Sequence, residues 1–138
     1  MALSPSALFV RLGAPLKNMM WSWGAQRDDG TIFLRAWSDE YCKRDGRTFF
    51  RLVNRKAYEG IGQNHGYNER LQHLDKLSIG ASGYIVMCTA VDASQEPREI
   101  KSFDERQVFK IGGIELIDGD EWAEVVDRVN IKSIAVSS

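Results

Sequence analysis

The stretch YIVMCTAV, residues Tyr84–Val91, decides the fold class of this chain. It is an uninterrupted apolar run rich in β-branched side chains, and such runs are typical of strands buried on both faces. Turn-forming residues bound it, with Ser78–Gly83 before it and Asp92–Pro97 after it. The sequence therefore predicts a central β-strand at Tyr84–Val91, beside which other strands must pack.

Two further strands are predicted upstream of this run. Thr31–Trp37 alternates between an apolar face and a chemically mixed face, which is typical of a half-buried strand. A turn at Gln26–Gly30 precedes it, a second turn follows at Arg44–Gly46, and Arg47–Val53 is rich in Phe and Val. Together these segments predict a β-meander over Thr31–Val53.

A helix is predicted at Tyr67–Leu77, because leucines recur along it at a spacing of three. Asn68 is suited to cap this helix, and the glycine-rich Gly60–Gly66 is predicted to be a loop. The N-terminal segment Ala2–Pro15 contains two prolines and Gly13, which predict an extended or irregular lead-in.

The C-terminal part of the chain adds strands with less regular patterns. Arg106–Ile111 is predicted to be a strand, with a bulge or turn at Gly112-Gly113. Glu121–Val129 fits both a helix and a strand, and Ile131–Val136 is predicted to close the sheet. The expected fold class is α+β: a small curved sheet or β-barrel with one or two helices, in a single domain spanning residues 1–138.

Composition and cysteine usage bound the class of protein. No apolar run approaches the roughly 18 residues that a membrane span requires, and the short N-terminal stretch lacks the basic start of a secretory signal. Cys42 and Cys88 stand far apart without CxxC spacing, which argues against a zinc site or a disulfide framework. These features predict a soluble, cytoplasmic protein.

Charge is distributed unevenly along the chain. Met1–Lys76 contains 12 basic and 8 acidic residues, whereas Leu77–Ser138 contains 6 basic and 11 acidic residues. The basic excess peaks at Lys43, Arg44, Arg47, Arg51, Arg55 and Lys56. Such a patch can contact phosphates even on a nearly neutral protein, and it can equally be a solvated strand face with its loop.

Signatures of catalysis are weak. His65 and His73 have no metal-binding spacing, and no P-loop or nucleophile motif is present. The segment Asp118–Glu121 falls far short of a calcium-binding loop and is predicted to be a turn. His65, in the predicted glycine-rich loop, is the better candidate for contact with a ligand. We therefore expect neither an enzyme nor a bound cofactor or metal.

The aromatic residues are more informative than the catalytic ones. Trp21, Trp23 and Trp37 fall close together among small residues. Indole faces can hold a flat base, with stacking worth about 1–3 kcal/mol per base, and Asp39 or Glu40 can accept a hydrogen bond from an exocyclic amine. Asn18, Ser22 and Asn64 are suited to supply further partners on the base edge. The alternative is that the three indoles simply fill the core.

The chain resembles the PUA-like superfamily, which includes the EVE, ASCH, YTH and SRA domains. The resemblance is in its length, in the Trp-containing Asn18–Ala25 that leads into Thr31–Val53, and in Leu77–Gly83 preceding the strand Tyr84–Val91. It implies a small β-barrel that binds DNA or RNA and reads a modified or flipped base in an aromatic cage. It also implies a role in phage defence or modification-dependent restriction, with a nuclease or other defence protein as partner.

The expected site residues follow from the aromatic cluster, the basic stretch and this resemblance. Ser22 and Asp39 would read the base edge, and Tyr67 and Arg70 would line the mouth of the site. The base-binding residues are expected to be Trp21, Ser22, Trp23, Trp37, Asp39, Asn64 and Tyr67. The phosphate-binding residues are expected to be Arg44, Arg47, Arg51, Arg55 and Arg70.

Two other functions compete with base recognition. A protein-interaction module, such as an adaptor or inhibitor, would use the acidic second half and exposed aromatic side chains. A small enzyme would use His65 with a carboxylate, although no nucleophile–base pair is visible in the sequence.

Overall fold

The computed structural model describes residues 5–17, 22–53, 65–92, 94 and 100–134. Over these residues the chain has an α+β fold, as predicted, built on one mixed eight-stranded sheet with three short helices. The elements are α1 (Pro5–Arg11), β1 (Gly24–Gln26), β2 (Ile32–Trp37), β3 (Tyr41–Arg44), β4 (Arg47–Arg51), α2 (His65–Ser78), β5 (Gly83–Ala90), β6 (Ile100–Phe103), β7 (Gln107–Ile117), β8 (Asp120–Asn130) and α3 (Ile131–Ile134). None of the helices described in these ranges is long and apolar enough to cross a membrane.

The strand predicted at Tyr84–Val91 is β5, and it lies inside the sheet. The strand order is β1-β2-β5-β7-β8-β4-β3, and β6 pairs with the C-terminal part of β5. β5 runs parallel to β2 and antiparallel to β6 and β7. Ile85 and Val86 are both buried, so the strand is covered on both faces as an unbroken apolar run requires.

The predicted meander is wrong, although its local turn is confirmed. β3 and β4 form a hairpin whose turn residues Asp45 and Gly46 have φ of 52° and 76°, the left-handed geometry that such tight turns need. However, β4 pairs with β8, and β2 pairs with β1 and β5. The reason is burial: Phe33 and Leu34 of β2 are fully buried on opposite faces, so this strand belongs in the interior beside β5.

Helices cover both faces of the sheet and divide the core into two clusters. On one face α1 supplies Leu8, Phe9 and Leu12, which pack with Phe33 and with Ile131 of α3. On the other face the leucines of α2 pack against even-numbered side chains of β2 and against residues from β4, β5, β7 and β8. The sheet is therefore the middle layer of the molecule.

Two terminal predictions are corrected by this packing. The segment Ala2–Pro15 contains helix α1, because a proline is tolerated in the first turn of a helix. Ile131–Ile134 forms α3 rather than a closing strand, and Ile131 is buried against α1. Residues 135–138 lie outside the described residues.

The remaining element boundaries differ modestly from the predictions. Helix α2 begins at His65, so Asn68 lies inside the helix rather than at its cap. The ambiguous segment Glu121–Val129 belongs to strand β8. The β7–β8 register shifts around Ile111 and Gly113, which makes the glycine pair a bulge. A Cβ at Gly112 would collide with the Val126 side chain, whereas one at Gly113 would meet open space.

Candidate functional site

A polar cleft of about 550 Å³ lies between helix α2, strand β1 and the residues that follow α1. Amide, imidazole, carboxyl and ammonium groups supply most of its wall. The described lining residues are Pro15, Lys17, Ala25, Gln26, His65, Asn68, Glu69, Gln72, His73 and Lys76. No Ser, Thr or Cys is among these lining residues, so the described wall offers no hydroxyl or thiol nucleophile.

The periodicity of α2 places these polar groups in the cleft. His65, Glu69 and His73 recur every four residues, and Lys76 follows three residues later, so they share one side of the helix. Leu71, Leu74 and Leu77 form the side that packs on the core. One helix therefore both closes the core and builds the wall of the cleft.

Glu69 lies in the middle of this wall. Its Oε2 atom accepts a hydrogen bond of 3.3 Å from the Ser22 hydroxyl, whereas Oε1 is buried and has no hydrogen-bond partner among the described residues. Burial raises the pKa of this carboxyl, against the opposing effects of the Ser22 hydroxyl, Lys17, Arg70 and the Trp23 backbone amide. Glu69 is thus a carboxyl group with an unused acceptor site.

His73 lies one turn further along α2 and is only 7% exposed. Its Nδ1 atom is buried and has no hydrogen-bond partner among the described residues. Burial is the main cause that lowers the pKa of His73 to about 4, and the positive charges of Arg70 and Lys76 contribute in the same direction. The imidazole is therefore neutral at physiological pH.

Lys76 and Gln26 form one rim of the cleft. The Lys76 ammonium donates a 2.5 Å hydrogen bond to the Gln26 Oε1 atom. The Gln26 Nε2 atom in turn donates to the Gly30 carbonyl at 3.2 Å. This chain of contacts ties α2 to the turn after β1 and keeps a positive charge beside the cleft.

Two aromatic residues near Glu69, Trp23 and Tyr67, lie outside the described lining of the cleft, and the Trp23 backbone amide donates a hydrogen bond to the Glu69 carboxyl. The rings of Trp23 and Tyr67 meet edge to face, with centroids 6.5 Å apart and planes inclined by 75°. The Arg70 guanidinium lies 5.7 Å from the centroid of the Trp23 indole. The structure thus brings four of the predicted site residues together: Ser22, Trp23, Tyr67 and Arg70.

Arg70 is 3% exposed and joins three separate segments of backbone. It donates hydrogen bonds to the carbonyls of Leu52 at 2.7 Å, Trp23 at 3.0 Å and Arg35 at 2.7 Å. These bonds tie α2 to the start of β1, to β2 and to the end of β4. Its described hydrogen bonds are directed into the protein rather than toward a phosphate site.

Trp37 and Asp39 lie elsewhere, at the C-terminal end of β2 and in the turn after it. Trp37 is half-buried and stands in register with Cys88 of β5. Asp39 is exposed, and the neighbouring Glu40 pairs with Arg51. Neither Trp37 nor Asp39 belongs to the described lining of the cleft.

Two of the predicted phosphate-binding arginines are engaged by carboxylates. Their partners come mainly from β7 and β8, in the acidic second half of the chain. We call this set the arginine–carboxylate network: Arg47 with Glu115 and Glu124, and Arg51 with Glu40 and Asp120. The two carboxylates raise the pKa of Arg47, and Arg47 lowers the pKa of Glu124. The network therefore neutralises two of the six basic residues in the basic stretch Lys43–Lys56.

Some of the other predicted residues are exposed, and the rest lie outside the residues that the structure describes. Arg44 is exposed at the β3–β4 turn, and His65 is exposed at the start of α2. Trp21, Asn64 and Arg55 lie outside the described residues. Among the residues that are described, no cluster of His, Cys, Asp and Glu is arranged to hold a metal ion.

Sequence reasoning missed the residues that dominate the cleft: Glu69, Gln72, Gln26, Lys17 and Lys76. A signal for some of them was present, since His65, Glu69 and His73 recur at helical spacing. Gln26 and Lys17 gave no such signal, because they come from a different part of the chain and meet α2 only in the folded structure.

Comparison of the chain with protein-family models, with curated proteins and with solved structures finds no significant match.

Proposed function

We propose that this chain is a non-enzymatic nucleic-acid-binding domain that holds one flipped or unpaired base, including a modified one, in the cleft beside α2. The observation that carries the proposal is the cleft itself. Its volume of about 550 Å³ lies in the range typical of small-ligand sites. Its wall is built mainly of hydrogen-bonding side chains, and the Trp23–Tyr67 pair is connected to that wall through the hydrogen bond from the Trp23 backbone to Glu69.

The aromatic pair supports a role in stacking. Trp23 is half-buried, and the edge of one ring against the face of the other fixes both in place. In this proposal the base stacks on the indole face that Arg70 does not cover, and its polar edge faces Glu69, which accepts a hydrogen bond from the Trp23 backbone. Stacking of this kind contributes about 1–3 kcal/mol per base.

The charges at the rim support contact with a phosphate backbone. Lys17 and Lys76 are exposed residues that line the cleft, and Lys76 is held in place through Gln26. In this proposal they replace Arg47 and Arg51 as the main phosphate contacts, because those arginines already pair with carboxylates. Arg44, which is exposed and outside the described lining of the cleft, remains a candidate contact, and Arg55 remains one because of its position in the basic stretch of the sequence.

A PUA-like barrel is the finer form of this proposal. It is supported by the curvature that brings β2 near β4, where Arg70 bonds to carbonyls of both strand regions. In that form the chain would act in phage defence or modification-dependent restriction. It would present the base to a nuclease or other defence protein, because the described part of its own cleft wall carries no hydroxyl or thiol nucleophile.

The test is a fluorescence titration with short oligonucleotides, unmodified or carrying 5-methylcytosine, 5-hydroxymethylcytosine or N6-methyladenine. The chain has 4 tryptophans, so the variants Trp23→Phe and Trp37→Phe identify the indole that responds. We expect quenching in the wild type and in Trp37→Phe, with preference for one modified base, and its loss in Trp23→Phe.

Two results would contradict the proposal. Loss of the signal in Trp37→Phe with full retention in Trp23→Phe would move the base to the end of β2, away from the cleft. No binding of any oligonucleotide by the folded wild type would exclude base recognition, and a nuclease-resistant protein partner in a pull-down would then favour an interaction module.

A further inference from the structure

We infer that the cleft selects bases that carry an exocyclic amino group, and that Glu69 is the residue that makes this selection. The inference rests on the proposed function, because it concerns which base the same cleft accepts. It is carried by the polar atoms in the wall that the protein itself leaves without partners.

Glu69 offers an acceptor at the right place. Its Oε2 atom is held by the Ser22 hydroxyl, and Oε1 has no hydrogen-bond partner among the described residues although it is buried. A buried polar atom without a partner is costly, so a ligand that donates to it gains that lost hydrogen bond. The terminal torsion of a glutamate is soft, so a small rotation turns an oxygen toward the cleft.

An ionised carboxylate only accepts hydrogen bonds. Cytosine N4 and adenine N6 present donors, whereas uracil O4 and hypoxanthine O6 present acceptors at the same positions. An acceptor facing Oε1 would repel it and leave the carboxylate unpaired. The amino and keto forms of otherwise identical bases are therefore distinguished by one contact.

His73 reinforces the need for a hydrogen-bonding ligand. Its neutral imidazole is buried one turn from Glu69, and Nδ1 lacks a hydrogen-bond partner among the described residues. A neutral imidazole carries one donor and one acceptor nitrogen. It can therefore pair with the ring nitrogen that lies beside an amino group without adding a charge to the site.

The experiment compares single strands of thymidines that differ only in one central base. The matched pairs are cytosine with uracil and adenine with hypoxanthine. Fluorescence titrations are made with the wild type, with Glu69→Gln, and with the control Asp75→Asn, which changes charge equally at an exposed position of α2 outside the described cleft lining.

For the wild type and the Asp75→Asn control, we expect the amino base of each pair to bind about tenfold to a hundredfold more tightly than its keto partner. Glu69→Gln should bring the two members of each pair close together, because an amide both donates and accepts. Circular dichroism and thermal unfolding verify that each variant is folded before titration.

Three results would overturn the inference. Equal binding of amino and keto bases by the wild type, with Trp23-dependent quenching intact, would refute the selection and leave the proposed function standing. Full retention of the preference in folded Glu69→Gln would show that another group makes the selection. If no strand binds, including those with modified bases, the proposed function fails and the inference fails with it.

Discussion

The arginine–carboxylate network and the cleft beside α2 have opposite effects on the charged forms of their ionisable side chains. In the network, carboxylates pair with Arg47 and Arg51, and the pKa shifts of Arg47 and Glu124 favour the charged forms of those two groups. In the cleft, burial disfavours the charged forms of Glu69 and His73, each of which has one buried atom without a partner among the described residues. The network pairs its charged groups within the protein, although the buried Nε of Arg51 has no hydrogen-bond partner among the described residues. The unpartnered atoms of Glu69 and His73 belong to residues that line a cleft, where a ligand can supply the missing hydrogen bonds.

This comparison changes which residues are candidates for function. The basic stretch is prominent in the sequence, but two of its arginines, Arg47 and Arg51, pair with carboxylates of β7 and β8 in the fold. Glu69 and His73 are inconspicuous in the sequence, but the fold removes them from water without giving every atom a partner. Unpaired polar atoms on residues that line a cleft, rather than local charge density, therefore mark the candidate site.

The largest effect is expected from Arg70→Met, because buried Arg70 donates hydrogen bonds to three separate segments of backbone. The change leaves the carbonyls of Leu52, Trp23 and Arg35 without these donors. We expect a loss of about 3–5 kcal/mol in the free energy of unfolding, measured by urea denaturation. The matched change at exposed Arg44 should alter stability by less than about 0.5 kcal/mol. A similar loss from both variants would contradict the role of Arg70.

The second effect is a pH dependence that comes from His73. The unfolded chain protonates this imidazole near its ordinary pKa of 6.5, whereas the folded chain resists protonation down to about pH 4. The contribution of His73 to the free energy of unfolding is therefore fully present above pH 6.5, and it is lost as the pH falls toward 4. We expect a loss of about 3 kcal/mol in the free energy of unfolding over this window.

Denaturant midpoints measured across the same pH range test this expectation. His73→Gln should flatten the slope, and His65→Gln, at the exposed start of the same helix, should leave it unchanged. Glu69 acts in the opposite direction at the acidic end, because its raised pKa lets the folded chain bind a proton first. A wild-type slope that survives His73→Gln would assign the dependence to another group.

A third effect tests the packing at the bulge between β7 and β8. Gly112→Ala adds a methyl group that collides with Val126, so we expect a loss of about 1–3 kcal/mol in the free energy of unfolding. Gly113→Ala at the next position meets open space and is expected to be neutral or slightly stabilising. Thermal unfolding of the pair separates the collision from a general cost of alanine at the bulge, which would affect both variants equally.

The smallest effect compares a cation at the rim of the cleft, Lys76, with a cation of the arginine–carboxylate network, Arg47. Lys76→Met should weaken binding of single-stranded oligonucleotides and reduce the slope of log affinity against log salt by about 1. Arg47→Met should leave that slope almost unchanged, because Glu115 and Glu124 already neutralise Arg47. Titrations at several salt concentrations measure both slopes. If Arg47→Met changed the salt slope more than Lys76→Met, the basic stretch rather than the rim of the cleft would supply the phosphate contacts.

Local patterns in the sequence determined the individual elements. The apolar run at Tyr84–Val91, the Arg44–Gly46 turn and the leucine spacing of Tyr67–Leu77 correspond to β5, the β3–β4 turn and α2. Each prediction succeeded because neighbouring residues carry the signal: an uninterrupted apolar run, a glycine that accepts positive φ, or leucines spaced about one helical turn apart. Element type is decided largely within such a window.

Tertiary structure alone decided which elements are neighbours. The pairing of β2 with β5, the burial of Arg70 among three carbonyls, and the meeting of Arg47 with Glu115 and Glu124 join segments that are distant in sequence. No local period encodes such contacts, because they depend on how two faces of one sheet are covered at once. The cleft belongs to this second class, since Lys17, Gln26 and Glu69 meet only after α2 packs beside β1.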